Sequence, residues 1–398
     1  MKFRLLGVLL LMLHVLVLKA GVVPQDSVRV SLLTCAPGSY IYTLFGHTAI
    51  RYEDPSRHRD WVFNYGMFSF HAPNFIWRFV KGETDYMLGV EDYQYFDEEY
   101  RKRGSAVYQQ ELRLTPQEKQ ELLHELQWNS LEENRVYRYN FLFDNCTTRA
   151  RDRIESCLQG TVRYHSDESQ LSFRDIIHQY TKGHKWAQFG MDFCLGSQAD
   201  KIIAWREQLF APFYLLAAVD SAVVVRTDSV IEPLAHCTVE LIPSAGIDRT
   251  EHYWLKPLQA CWLLGGVVLV LTMLGMYWQR RFWIVDFVLA LAAGLAGSVI
   301  AFLVFVSVHP AVSPNYLLWA FHPVYLLYLP YLIYVEVKKK KDVFQMLNVG
   351  ILTLFIILIP FLPQKFNSAV LPLALVLWIR AVGYTYLYYR NVKKRQLI

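Results

Sequence analysis

An exported α+β domain followed by five membrane-spanning helices is the architecture the sequence predicts, and three observations predict it. The apolar fraction of 54% over 398 residues exceeds the roughly 45 to 50% of soluble domains. Acidic residues crowd the first part, since Asp286, Glu336 and Asp342 are the only ones after Lys256. Before Lys256 short segments of period two and period 3.6 alternate, and after it long apolar runs follow one another.

The first four residues, Met-Lys-Phe-Arg, precede an apolar run over 5–18 and then Lys19-Ala20-Gly21, the layout of an export signal. The run is long enough for an uncleaved anchor as well, so residues 1–20 are expected to be a signal peptide or an N-terminal anchor. Residues 21–256 form the exported domain on either reading, and 257–398 the membrane domain.

Several elements of the exported domain are legible in order. Residues 28–34 alternate as a strand that Ala36-Pro37-Gly38-Ser39 breaks, and 48–52 and 61–65 read as a long-looped hairpin. Residues 75–81 suit a short helix, and 86–90 and 106–114 two more strands. Thr115-Pro116-Gln117-Glu118 gives an N-cap, a proline at the first helical position and a capping-box glutamate, predicting a helix to about Asn129. Residues 139–143 read as extended, and a helix follows whose apolar positions Ala150, Ile154, Cys157 and Leu158 share one face.

Apolar runs over 257–278, 282–307, 315–335, 343–362 and 369–389 each approach or exceed the roughly 20 residues that cross a bilayer as a helix. Basic clusters occupy alternate connections, at 279–281, 338–341 and 390–395, while the intervening loops carry one lysine, Lys365. The positive-inside rule puts those clusters in the cytoplasm and 21–256 outside. The net charge of +5 therefore reflects membrane flanks and not a nucleic-acid surface. Asp286, His309, His322 and Arg380 are the ionisable groups in or near the runs; Asp286 reads as structural, and Arg380 as structural or functional alike.

Five cysteines, Cys35, Cys146, Cys157, Cys194 and Cys237, fall in the exported domain, and an odd number in an oxidising compartment leaves at least one thiol without a partner in its own chain. Cys146 opens a helix, where the positive end of the dipole stabilises a thiolate and backbone N–H groups can take an oxyanion. It reads as a structural thiol, a disulfide half or a nucleophile. A nucleophilic cysteine needs an imidazole base held by a third group. His47 heads a strand after Gly46, and Asn64 lies on the neighbouring strand. No zinc spacing, Walker loop, dinucleotide fingerprint or GxSxG elbow occurs, so no metal or cofactor is expected.

The order of histidine, polar residue and Asn-Cys helix is similar to the circularly permuted papain-like fold of lecithin:retinol acyltransferase and its NlpC-type relatives. More closely, LLTCAPG from Leu32, LFGHTAIR from Leu44, FNYG from Phe63, and YNF with DNCTTR between Tyr139 and Arg149 resemble the Lnb family of bacterial lipoprotein N-acyltransferases. The resemblance implies a permuted papain-like domain with Cys146 as nucleophile, His47 as base and Asn64 as orienting group. Histidine is often the third member in the retinol enzyme, and Asn64 departs from that. It further implies acyl transfer from a phospholipid through a cysteine thioester to the amine of a diacylated lipoprotein, at the periplasmic face of the inner membrane. The competing expectations are a cell-wall peptide amidase or peptidase on the same fold, and a non-enzymatic envelope sensor or assembly factor with Cys146 in a disulfide. Trp61, Phe68, Phe70, Phe75 and Trp77 are candidates to line an acyl groove, and Arg149 and Arg153 to meet lipid phosphate, against packed-core and solvated-face alternatives.

Overall fold

A computed structural model describes residues 27–165, 169–226, 230–247 and 249–396. The signal or anchor expected at 1–20 lies outside them. Seven antiparallel strands form the main sheet in the order β10-β5-β1-β2-β3-β4-β6. They are β1 (Arg29–Cys35), β2 (His47–Asp54), β3 (Arg59–Met67), β4 (Asp85–Asp92), β5 (Val107–Glu111), β6 (Val136–Arg138) and β10 (Val239–Ile242). A small second sheet holds β7 (Thr161–Arg163), β8 (Val223–Val225) and β9 (Ile231–Pro233).

The soluble helices are α1 (Phe75–Lys81), α2 (Tyr93–Arg103), α3 (Pro116–Ser130), α4 (Cys146–Ser156), α5 (Phe173–Tyr180), α6 (Lys185–Cys194), α7 (Trp205–Gln208) and α8 (Pro212–Ser221). The sheet is covered on both faces. Val30, Leu32, Ile50, Phe63 and Leu88 pack under α3, α4 and α8, which contribute Leu122, Ile154 and Leu215. Leu33, Cys35, Ala49 and Val62 pack on the other face under Phe96 and Tyr100 of α2. Successive strand residues point to opposite faces, so β1, buried from Val30 to Cys35, is a central strand and not the one-sided strand its polar alternation suggests. The hairpin is tighter than expected: β2 and β3 run on to Asp54 and from Arg59, leaving a single 3-10 turn at Pro55–Arg57.

Thr115 and Glu118 close the expected capping box at the start of α3. Residues 139–143 are not extended. Asn140 Oδ1 accepts the N–H groups of Leu142 and Phe143, each at 3.1 Å, which folds the chain into an Asx turn, and the strand pairing with β4 lies just upstream in β6.

Among the described residues, five helices are long and apolar enough to cross a membrane: α9 (Pro257–Trp278), α10 (Trp283–Phe305), α11 (Val324–Lys338, preceded by a 3-10 turn at Tyr316–Trp319), α12 (Val343–Leu358) and α13 (Val370–Gln396). The loops poor in basic residues face the soluble domain: Gly196 N–H donates to Ala311 O, and Gln364 Nε2 to Leu195 O. Arg174, with no exposed surface, anchors this junction through Asp192 at 2.7 Å and Asp200 at 2.8 Å. Asn367 Nδ2 donates to the same Asp192 at 2.9 Å, and Lys365 pairs with Asp175. A buried arginine paired twice is held at great cost to any rearrangement, so this clamp fixes the height of the soluble domain above the helices.

At the opposite end of the bundle Arg380 Nε meets Asp286 at 2.6 Å, and Arg281 bridges Asp286 at 2.9 Å and Asp342 at 2.8 Å. Thr272 accepts from Arg380, and the Tyr328 hydroxyl donates to Asp342. Two arginines and two aspartates balance, so Arg380 and Asp286 both find structural partners.

Candidate functional site

The geometry around Cys146 starts from its N-cap. Asn145 Oδ1 accepts the N–H groups of Thr147 at 2.8 Å and Thr148 at 2.9 Å, while Nδ2 donates to the carbonyls of Phe141 and Phe210. Every hydrogen-bonding group of that side chain is used, so α4 begins rigidly at Cys146. The Asn145 cap does not use the N–H of Cys146 itself. Thr147 Oγ1 meets Thr48 Oγ1 at 3.1 Å inside the core, which docks the helix start onto β2.

His47 is the first residue of β2 and lies opposite Cys35 on β1. Gly46 before it has φ +76°, and a Cβ there would collide with the Cys35 carbonyl, so only glycine makes this approach to the strand. His47, Asn64 and Glu91 share the sheet face of Ala49 and Val62 by alternation. His47 Nε2 lies 3.1 Å from Asn64 Oδ1, and Asn64 Nδ2 donates to Glu91 Oε1 at 2.7 Å. With Nε2 committed to a carbonyl oxygen, the ring nitrogen left for the sulfur is Nδ1. The cysteine helix comes from the other face and meets His47 at the strand end, close enough for each side chain to stabilise the charged form of the other.

Burial by itself pushes the Cys146 thiol up, but the His47 charge and hydrogen bond, the Thr48 N–H and the Thr147 hydroxyl outweigh it and bring the thiol below its ordinary value. Burial also opposes the charge on His47. The Cys146 sulfur and Asn64 overcome it, so the imidazole is raised above its usual value. Opposite shifts of this kind describe a thiolate–imidazolium pair. Burial, helped by Glu99, raises Glu91 as well.

All six cysteines are free thiols, so Cys146 is no disulfide half. Cys35, directly across from His47 in the sheet, is fully buried and pushed up to about 12 by that burial. Burial likewise raises Cys157 and Cys194.

All three sequence-designated residues, Cys146, His47 and Asn64, meet at one point. Glu91, Thr147 and the Thr48 N–H went unnoticed in the sequence: Glu91 stands on a strand where one carboxylate looks like any surface charge. Tyr137 adds another group. A Cβ on Gly66 would lie 3.5 Å from Cys146 Cβ and 3.9 Å from Tyr137 Oη, and that buried hydroxyl has no hydrogen-bond partner among the described residues. Arg149 is held bidentately by Asp144 at 2.6 and 2.8 Å, and Arg153 pairs with Glu125 at 3.1 Å, so neither guanidinium is an open phosphate receptor or a merely solvated charge. Among the described residues no cluster of metal-ligating side chains occurs.

Two family models match the chain. The Lnb N-terminal periplasmic domain matches residues 20–182, and the Lnb transmembrane domain matches residues 249–392. No curated protein and no solved structure matches.

Proposed function

The chain belongs to the Lnb family, its periplasmic and membrane parts both matched, and from that premise we propose that it is a thiol acyltransferase of the bacterial inner membrane. It takes an acyl chain from a phospholipid and passes it to the N-terminal amine of a diacylated lipoprotein. The observation that carries this reading is the Cys146–His47–Asn64 arrangement, with its lowered thiol and raised imidazole, in a domain clamped to five membrane helices.

In the first half-reaction the Cys146 thiolate attacks the ester carbonyl of the donor. The Cys146 N–H, at the positive end of the α4 dipole, would take the oxyanion, and the Tyr137 hydroxyl is a second donor on that side. The carbon–oxygen bond breaks as imidazolium His47 gives its proton to the departing lysophospholipid alkoxide. A thioester and a neutral imidazole remain. The lipoprotein amine then attacks the thioester, His47 takes the amine proton, and the carbon–sulfur bond breaks to restore thiolate and imidazolium. The net change is ester plus amine to amide plus alcohol. Asn64 fixes the ring so that Nδ1 faces the sulfur in both steps, and Glu91 fixes Asn64.

The reading is tested by deleting the gene, restoring it with wild type or Cys146→Ala, and reading lipoprotein N-termini by mass spectrometry. Wild type restores N-acylation and the variant does not. Equal N-acylation from both would overturn the proposal, and release of cell-wall peptides by the wild type alone would redirect it to an amidase.

A further inference from the structure

Between the soluble domain and the membrane helices lies a groove of about 830 Å³, lined on one side by Phe70, Phe75, Ile76 and Trp77 and on the other by Val299 and Phe302 of α10. Its walls are pinned. His309 Nε2 donates to Phe79 O at 2.6 Å, Val308 N–H donates to Lys81 O at 2.9 Å, and the Trp77 ring packs on Phe302 at 5.0 Å. Ile76 is 77% exposed and Trp77 58%, an unfavourable arrangement for a water-facing helix but a suitable one at a bilayer surface. The α10 side continues into the exposed face of Leu295 and Val299, the surface a spanning helix turns to lipid.

A row of packed aromatic rings connects the groove to the neighbourhood of the thiol. From Gly66, beside Cys146, the next ring is Tyr139, whose edge would lie 4.0 Å from a Cβ at that position. Tyr139 stacks on Tyr86 at 4.0 Å, Tyr86 on Phe68 at 4.8 Å, and Phe68 touches Phe70 at 4.9 Å and Phe75 at 5.5 Å. Tyr42, in the loop that leads to His47, rests against Phe68 and Phe70. An aromatic ladder thus runs from the sulfur to the lipid-facing surface. The occupant must be hydrocarbon. Asn74 and Ser298 are the polar side chains in the lining, and the Ser298 hydroxyl already donates to Gly294 O at 2.7 Å, so a peptide laid there would leave its backbone groups unpaired.

We propose that this groove seats one acyl chain of a membrane phospholipid and that the Phe68–Tyr86–Tyr139 ladder leads its ester to Cys146. The assignment rests on the acyltransferase reading for its chemistry, because a chain linked to the sulfur needs an apolar path for its tail. The donor is favoured over the lipoprotein because the first chain to reach the sulfur is the donor's.

The test reconstitutes the full chain in phosphatidylcholine vesicles doped with a phosphatidylcholine carrying a photoreactive diazirine near the end of one acyl chain. With Cys146→Ser, which stops turnover, irradiation is expected to label Phe70, Phe75, Trp77 or Phe302, and filling the groove by Ala72→Trp or Val299→Trp is expected to abolish that labelling. In the wild-type background the same fillings should cut acyl-thioester formation by about tenfold or more, the scale of a misplaced reacting group. They should leave iodoacetamide alkylation of Cys146 unchanged, which shows that the fold and the thiol survive. Labelling spread evenly over the outer faces of α9 and α10 with none on α1 would overturn the proposal, as would undiminished thioester in the filled variants. Labelling of the groove by a diazirine-bearing lipoprotein in preference to the phospholipid would also overturn it. Wild type that forms no thioester while the groove is still labelled would defeat the acyltransferase reading and leave the lipid site standing.

Discussion

Two buried polar clusters, one at each end of the molecule, differ in what they leave open. At the cytoplasmic end, Arg281, Arg380, Asp286 and Asp342 pair in equal numbers, with distances of 2.6 to 2.9 Å. At the outer end, His47, Asn64 and Glu91 form a chain of hydrogen bonds that ends beside the Cys146 thiol, with the Tyr137 hydroxyl nearby and without a hydrogen-bond partner among the described residues. Both clusters carry the marks that draw attention in a sequence, charge or nucleophile in apolar surroundings. What separates them is charge balance and chemistry. A cluster whose charges cancel within itself holds helices together, even with Arg281 Nη1 left without a hydrogen-bond partner among the described residues, whereas the outer cluster presents a thiol whose charge is not cancelled by a fixed partner of the same kind.

The comparison can be broken in four ways. The largest effect is expected at the open cluster: Cys146→Ala should remove acyl-thioester formation, a loss of about 10⁶-fold if it behaves as other nucleophile deletions do, with the protein still folded by circular dichroism. An acyl adduct surviving on the variant in an intact-mass spectrum would move the chemistry elsewhere.

The closed cluster should respond in stability instead. Arg380→Ala leaves Asp286 with half its partners, and removing one member of a buried pair costs about 3–5 kcal/mol. The melting temperature in detergent should fall, while the alkylation rate of Cys146 in the folded fraction stays at its wild-type value. The double change Arg380→Leu with Asp286→Leu should recover most of the loss; failure to recover would point to a role beyond pairing.

A third effect concerns pH. His47 supplies the charge and hydrogen bond that bring Cys146 below its ordinary value of 9.0, against burial, which raises it. Wild-type alkylation by iodoacetamide should therefore have its midpoint below pH 9.0, and His47→Ala, which removes the largest influence opposing burial, should move that midpoint upward. Because His47 is itself raised, the thiolate–imidazolium pair spans the window between the lowered thiol and the raised imidazole, and turnover should decline on both sides of it. An unchanged midpoint in His47→Ala would refute the pairing.

The smallest effect is expected at Glu91→Gln. It keeps an acceptor for Asn64 and removes a charge two residues from the sulfur along the hydrogen-bond chain. A few-fold fall in turnover with KM unaltered and a small downward shift of the upper pH limb are expected. Loss as large as that of Asn64→Ala would promote Glu91 from a positioning residue to an equal partner.

The parts legible in the sequence share one property: they depend on neighbours in the chain. The capping box at Thr115 and Glu118, the Asn145 cap before Cys146, the five apolar runs and the alternate basic loops are local patterns, and the structure contains each of them. The extended reading of residues 139–143 failed because an Asx turn at Asn140 competes with strand formation over the same residues. Helix α2 passed unnoticed because YQYFDEEYRKR is polar on most of its surface and buries chiefly Phe96 and Tyr100. Of the aromatic residues considered for a groove, Phe70, Phe75 and Trp77 line it and Phe68 joins it to the site, whereas Trp61 packs against the sheet core and under Arg59.

By itself, then, the sequence determined the two-part architecture, the orientation in the membrane, and which cysteine opens a helix behind a perfect cap, because each follows from short-range sterics, burial and charge. Only the tertiary structure decided that His47 from β2 and Cys146 from α4 meet at one strand end, that Glu91 stands behind Asn64, that Arg380 answers Asp286 across two helices, and that a ring ladder links the thiol to the lipid side. Those pairings join residues far apart in the chain, and nothing in either local stretch carries the information about which distant surface it will meet.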